Sequence, residues 1–234
     1  MMRQLARRAR NMCRVARLRA SNGLQVHLGC GNDHLQGFVN LDTRWTEAAD
    51  IVANLSLPPL SPGSVDLAIS HAFFEHLYRR ARLPHLQRVA EALAPDGICC
   101  YIGLPYFPNV ARFYLERAPG IVGPVFDLFN VYRYTHGDPE QAGAETWWLE
   151  QLHKSLFDES EVAGLLRGSG FGSFVLFVYV YPGDGAPLPV SMGFCASKKA
   201  KSESDLRRDC LQCVPLFGGK VVIETLQWLT SPAV

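Results

Sequence analysis

No apolar run in this 234-residue chain approaches the roughly 18 residues that a membrane-spanning helix requires, which excludes an ordinary transmembrane anchor. An excess of one charge sign is also lacking. The net charge of +1 argues against a protein that binds nucleic acid with its whole surface, so no nucleic-acid partner is expected. Charged residues make up only 19% and apolar residues 48%, a balance that excludes a disordered chain and predicts one packed domain with appendages. The seven cysteines are an odd number with no secretory signal ahead of them, which points to free thiols in a reducing compartment and to a cytoplasmic location. Cys210 and Cys213 have a metal-like spacing, but no second such pair follows, so no metal site is assigned.

Acidic residues are absent from residues 1–23, which hold seven arginines; the rest of the chain carries 16 basic against 22 acidic residues, a balance of −6. Residues 2–20 also lack glycine and proline and are expected to form a helix. Arg3, Arg7, Arg10, Arg14 and Arg17 mark a basic stripe, and Leu5, Ala9, Met12 and Ala16 an apolar stripe expected to pack on the domain. Peripheral contact of residues 1–20 with anionic lipid is a second reading of this segment. A transit peptide is a third, disfavoured by its poverty in serine.

From residue 24 short β-rich runs alternate with helical stretches. Strands are expected at 24–28, 38–41, 51–55, 65–70 and 98–103. A helix near 72–94 is interrupted or kinked by Pro84, and another spans 159–169, capped by Asp158 and ended by Gly170. A hairpin of 173–181 with 190–197 closes the pattern. This order predicts an α/β fold with a doubly wound, mostly parallel sheet and an antiparallel hairpin at its end. The organisation reads as a basic helix (1–23), a main domain (24–198) with an aromatic-rich insert or lid (104–155), and an unassigned tail (199–234).

The first strand runs into Gly29-Cys30-Gly31, where two glycines allow a sharp turn and close approach to a ligand. A dinucleotide fingerprint needs a third glycine where His34 stands, which counts against a nicotinamide or nucleotide-sugar enzyme. Asp42 ends the next strand, where an acid can accept both hydroxyls of a ribose. Asn54-Leu55, His71-Ala72-Phe73-Phe74-Glu75-His76, Pro95-Asp96-Gly97 and His153-Lys154-Ser155-Leu156-Phe157 follow in order.

Taken together, these segments resemble the class I S-adenosylmethionine-dependent methyltransferases, in particular the small branch with an LGCGN…GFVNLD opening (methyltransferase type 11-like). The resemblance covers residues 24–198. It implies a Rossmann-like, seven-stranded sheet and S-adenosyl-L-methionine as cofactor. By resemblance, His27, Gly29, Cys30 and Gly31 would face the methionine part, Asp42 the ribose, Asn54 and Leu55 the adenine, and His71 would close over the cofactor. Two positions depart from the family: His27 and Asn54 stand where many members carry acids. Asp42 follows Gly29 by only 13 positions, so the first helix is reduced to a turn, as in the small branch.

Methyl transfer to a hydroxyl needs a base near neutral pKa. His71, with Glu75 orienting it from one helical turn away, and His153 are the catalytic candidates; His76 and His136 are further ones, with Tyr106 as an orienting group. The expected activity is methyl transfer to a small-molecule, sugar or lipid-linked glycan acceptor. The alternative is a catalytically inactive methyltransferase-like binding or scaffold module.

Overall fold

The computed structural model describes residues 2–120, 122–137, 152–184 and 187–230. Its centre is an eight-stranded sheet in the order β3-β2-β1-β4-β5-β7-β6-β8. The strands are β1 (Leu24–Leu28), β2 (Val39–Asp42), β3 (Ile51–Val52), β4 (Val65–His71), β5 (Leu93–Pro105), β6 (Ser173–Tyr179), β7 (Ser191–Ser197) and β8 (Gln227–Leu229). Strands β1 to β5 pair in parallel, and β7 runs antiparallel between β5 and β6. The seven strands expected from sequence are present. The eighth, β8, comes from the tail and pairs antiparallel with β6.

Two apolar layers sandwich the sheet. On one face α2 (Arg79–Ala92) and α5 (Glu159–Gly168) pack over Val26, Leu28, Ala68, Cys99 and Tyr101. On the other, α6 (Glu203–Cys213) lays Leu206, Cys210 and Cys213 against Ile69, Cys100, Ile102 and Cys195. The i, i+4, i+7 spacing of those three residues makes one helical stripe, and Ser202 caps the helix by accepting from the Asp205 amide at 3.1 Å. The tail is thus a structural layer. Helix α5 follows its sequence signals: Asp158 accepts from the Glu161 amide at 2.8 Å, and Gly170 takes φ +84° just beyond the end.

The first helix, α1 (Met2–Ala20), departs from the expected facing. Met12 is 72% exposed and Ala9 and Ala16 are exposed, while Leu18 enters the core. The physical reason is the sheet edge. Asn11 donates to Val52 O at 2.7 Å and accepts from Val52 N at 2.9 Å, replacing the strand that β3 lacks. Arg14 adds a bond to Asp50 O at 2.6 Å. Polar pairing with an open edge therefore decides the rotation of the helix, and the alanines and Met12 offer too little area to oppose it.

The helix expected at 72–94 begins later. Phe74–His76 forms a 3₁₀ turn and α2 starts at Arg79, with Pro84 inside it. On α2, His85 is fully buried. Its Nδ1 donates to Leu55 O at 2.5 Å, so Nε2 must be the acceptor for the Tyr101 hydroxyl at 2.8 Å. Burial pushes its pKa down to about 4 from 6.5. The unfolded chain therefore binds a proton between those values that the folded chain does not. The His85 contribution is complete above pH 6.5 and falls by about 1.4 kcal/mol per unit as pH drops towards 4. His85→Gln, which can keep both bonds, is expected to flatten the urea-denaturation stability profile across this range by that slope. An unchanged profile would contradict the assignment.

Candidate active site

The C-terminal ends of β1, β2 and β4 open onto a cavity of about 290 Å³, lined among others by Gly29, Gly31, Asp42, Ser56, Ala72 and His76. Ligands of open α/β sheets bind at this edge. Gly29 turns the chain at φ +73°, and both Gly29 N and Cys30 N donate to Leu41 O, at 2.9 and 3.0 Å. A Cβ on Gly29 would lie 2.4 Å from Phe73, so the loop and the segment after β4 touch across the cavity floor. Asp42 is buried at 5% exposure. One carboxylate oxygen accepts from Gly31 N and the other from Arg44 N, both at 2.8 Å, with Arg44 Nε 3.7 Å away. Ala72 holds φ +47°, uncommon for a residue with a Cβ. Its N–H donates to Ile102 O at 3.0 Å, and the lack of a side chain at Gly103 leaves room for it.

Several sequence candidates are placed elsewhere. Strand alternation turns His27 and His71 to the α6 face, where they line a separate cavity of about 240 Å³ with Asp33, Phe217 and Lys220. His27 Nδ1 meets Asn40 Oδ1 at 3.2 Å, and burial lowers its pKa. Burial likewise pushes His71 down to about 3, and its ring packs edge-on against Tyr181. Neither ring lines the Gly29–Asp42 cavity, where the resemblance had put both; of the residues just after β4, Ala72 lines it instead of His71. The Cys30 side chain is buried and its thiol is pushed up to about 12 by burial. Asn54 is exposed and its Oδ1 accepts from Ser56 N at 3.0 Å, while Leu55 points into the core. Ser56 lines the cavity where those two were expected.

Glu75 does not orient His71. The 3₁₀ turn carries it away from β4, to His76 and to His153, which returns from the end of the aromatic insert. One donor atom from each of Glu75, His76 and His153 lies within 4.8 Å of the others. Glu75 is completely buried and neither of its oxygens accepts a hydrogen bond, although His76 Nε2 is 3.6 Å from Oε1. Burial pushes its pKa up to about 8 and pushes His76 and His153 each down to about 4. His76 Nδ1 contacts Leu152 O at 3.3 Å, and His153 Nδ1 contacts Tyr134 O at 3.1 Å. The carbonyl of Ala72 also lies beside the His76 ring.

The cluster stands between two cavities. His76 lines the Gly29–Asp42 cavity; His153 lines a second one of about 620 Å³ with Arg79, Arg82, Thr135, His136 and Glu161; Lys154 lines both. The insert is tied at its base, where Phe157 N donates to Pro105 O and Phe107 N to Phe157 O, each at 3.0 Å. Helices α3 (Phe107–Leu115) and α4 (Leu128–His136) form a small core of their own around Val110, Phe113, Phe126 and Tyr134. Tyr106 is buried and bonds Glu159, so it is held at the insert's base. Trp147 and Trp148, part of the expected lid, lie outside the described residues. Sequence reasoning named His76 only among secondary candidates and missed Arg44, Ser56 and Lys154.

No family model matches the chain, and no curated protein matches it in sequence. Among solved structures it is similar to a SAM-dependent methyltransferase from Archaeoglobus fulgidus, with 12% identity, 83% of this chain and 93% of that one covered, and a TM-score of 0.49. A methyltransferase from Methanosarcina mazei gives 16% identity, coverage of 80% and 97%, and a TM-score of 0.48. The 1,6-didemethyltoxoflavin-N1-methyltransferase of Burkholderia thailandensis, solved with bound S-adenosylhomocysteine, gives 15%, coverage of 79% and 76%, and 0.47. At these values the likenesses decide neither chemistry nor substrate, which rest on the site itself. Among the described residues no helix is long and apolar enough to cross a membrane.

Proposed function

We propose that the chain is an S-adenosylmethionine-dependent methyltransferase acting on a small polar acceptor, a sugar or lipid-linked glycan included. The observation that carries this reading is the meeting of the Gly29–Gly31 turn and the buried Asp42 in one cavity at the carboxyl edge of the parallel strands. The donor set fits the cofactor. A carboxylate offers about four lone-pair sites, and Asp42 uses one on each oxygen for a backbone N–H, so each oxygen retains capacity for a ribose hydroxyl. When bound, the cofactor supplies an electrophilic methyl group on sulfur. The chain's part is to hold, orient and dry the reactants and to manage the acceptor's proton. The second cavity, with its polar rim, is the acceptor's place in this reading, and Glu75, His76 and His153 stand at its junction with the first.

The test is saturable binding of S-adenosylhomocysteine. A thermal-unfolding midpoint that rises by several degrees at saturating ligand supports the reading. A folded protein with no shift supports the alternative, a binding or scaffold module without the chemistry.

Residues 1–20 are proposed to touch anionic membranes. Arg8, Arg10, Arg14 and Arg17 are exposed on a helix that is fastened to the domain through Asn11 and Arg14 at the sheet edge and Leu18 in the core. Arg8→Glu with Arg10→Glu, which spares Asn11 and Leu18, is expected to reduce cosedimentation with phosphatidylserine vesicles several-fold at low salt. Equal sedimentation would dismiss this contact.

A further inference from the structure

We propose that Glu75, His76 and His153 hold one divalent first-row transition-metal ion at the junction of the two cavities, with an open coordination position towards the acceptor. The last clause rests on the methyltransferase reading; the metal site does not.

Three observations carry the site. The first is convergence: residues 75 and 76 from the turn after β4 and residue 153 from the end of the insert bring one donor atom each within 4.8 Å of one another. Two donors bound 2.0–2.2 Å from a shared tetrahedral ion sit roughly 3.4 Å apart, and Glu75 Oε1 and His76 Nε2 are already at 3.6 Å. The second is the carboxylate. Glu75 is fully buried with both oxygens lacking a hydrogen bond; even as the neutral acid it leaves buried polar atoms unpaired, and a bound cation would pair them and hold the carboxylate ionised. The third is the environment of the histidines. Metal-bound imidazoles characteristically donate their other ring N–H to a carbonyl or carboxylate, which sets the tautomer and aims the ligating nitrogen. Here Nδ1 of His76 faces Leu152 O and Nδ1 of His153 faces Tyr134 O, leaving Nε2 as the remaining nitrogen of each ring.

Two histidines and one carboxylate suit zinc, manganese or iron(II) and leave room for a water or a substrate oxygen. The adjacent Lys154 ammonium is turned to Leu152 O at 3.3 Å and to the Tyr78 ring at 5.2 Å. On the acceptor side, a metal-bound hydroxyl loses its proton far more readily than a free one, which supplies the nucleophile that a weakly basic, buried imidazole does not. Among the described residues no other group of His, Cys, Asp or Glu has this convergence.

The experiment is calorimetric titration of the chelator-treated full chain with zinc chloride, without S-adenosylmethionine, and cobalt(II) absorption as a check on ligand type. One equivalent bound with micromolar or tighter affinity, and a cobalt spectrum without thiolate charge transfer, is the expected result. Glu75→Gln, His76→Gln and His153→Gln are each expected to weaken zinc by about 100-fold, whereas His71→Gln leaves it unchanged. No saturable binding, a thiolate spectrum, or equal affinity in the cluster variants would overturn the site. If a variant fails to fold, the wild type still decides: zinc must raise its thermal midpoint and chelator must reverse the rise, and an unmoved midpoint refutes the proposal. S-adenosylhomocysteine binding, measured separately, reports on the methyltransferase reading alone.

Discussion

Asp42→Ala is expected to weaken S-adenosylhomocysteine binding by about 100-fold or more, with the fold retained by circular dichroism. The size follows from the number of bonds at stake. Two hydroxyl-to-carboxylate bonds, each charge-assisted and each worth roughly 1.5–3 kcal/mol, exceed the 2.7 kcal/mol that a hundredfold loss represents. Asp42 also holds Gly31 N and Arg44 N, so its removal loosens the loop that lines the same cavity. Asp42→Asn separates the two effects. Its carbonyl oxygen can keep one of the two backbone bonds, yet its amide nitrogen cannot accept from a ribose hydroxyl. The asparagine variant is therefore expected to fold like the wild type and still to bind at least about tenfold more weakly. Wild-type affinity in both variants would remove Asp42 from the site.

Gly29→Ala is expected to be the most disruptive single methyl in the loop, lowering stability by about 2–4 kcal/mol and abolishing ligand binding. Two penalties add. At φ +73° a residue with a Cβ costs roughly 1–2 kcal/mol. The new methyl would also lie 2.4 Å from the Cβ and Cγ of Phe73, which cannot retreat without leaving a core where it is only 8% exposed. Gly31→Ala is the control. Its φ is +54°, but nothing lies within 4 Å of the added methyl, so only the smaller backbone penalty applies. Chemical denaturation of the two variants checks the ordering; equal losses would mean that the backbone angle alone, and not the contact with Phe73, demands glycine at position 29.

Much of the architecture was legible because local signals agreed with the fold. The alternation of short β runs and helices, the Asp158 cap and the Gly170 stop all coincide with observed elements. The glycine turn and Asp42 were readable for the same reason: both sit at strand ends, where sequence spacing maps directly onto the sheet edge. The direction of side chains on β4 was not. A parallel strand buried on both faces shows no apolar alternation, so nothing in Val65–His71 marks which face His71 takes. Extending β4 through residue 71 puts it in phase with Ile69, on the α6 side, and the 3₁₀ turn that follows aims Glu75 and His76 the other way. The adenine-side residues failed for a related cause: β3 is two residues long, so Asn54 and Leu55 are already past the sheet. The convergence of His153 with Glu75 and His76 spans more than 70 residues and depends on how the insert returns, which no local pattern encodes. The tail's role had a signal that went unused, the Ser202 cap followed by Leu206, Cys210 and Cys213 on one helical stripe.

Calorimetric titration of the wild-type chain with S-adenosylmethionine and S-adenosylhomocysteine tests the central claim most directly. One site of micromolar affinity for both ligands is the predicted result. Heat indistinguishable from dilution up to millimolar ligand, with the protein shown to be folded, would contradict it.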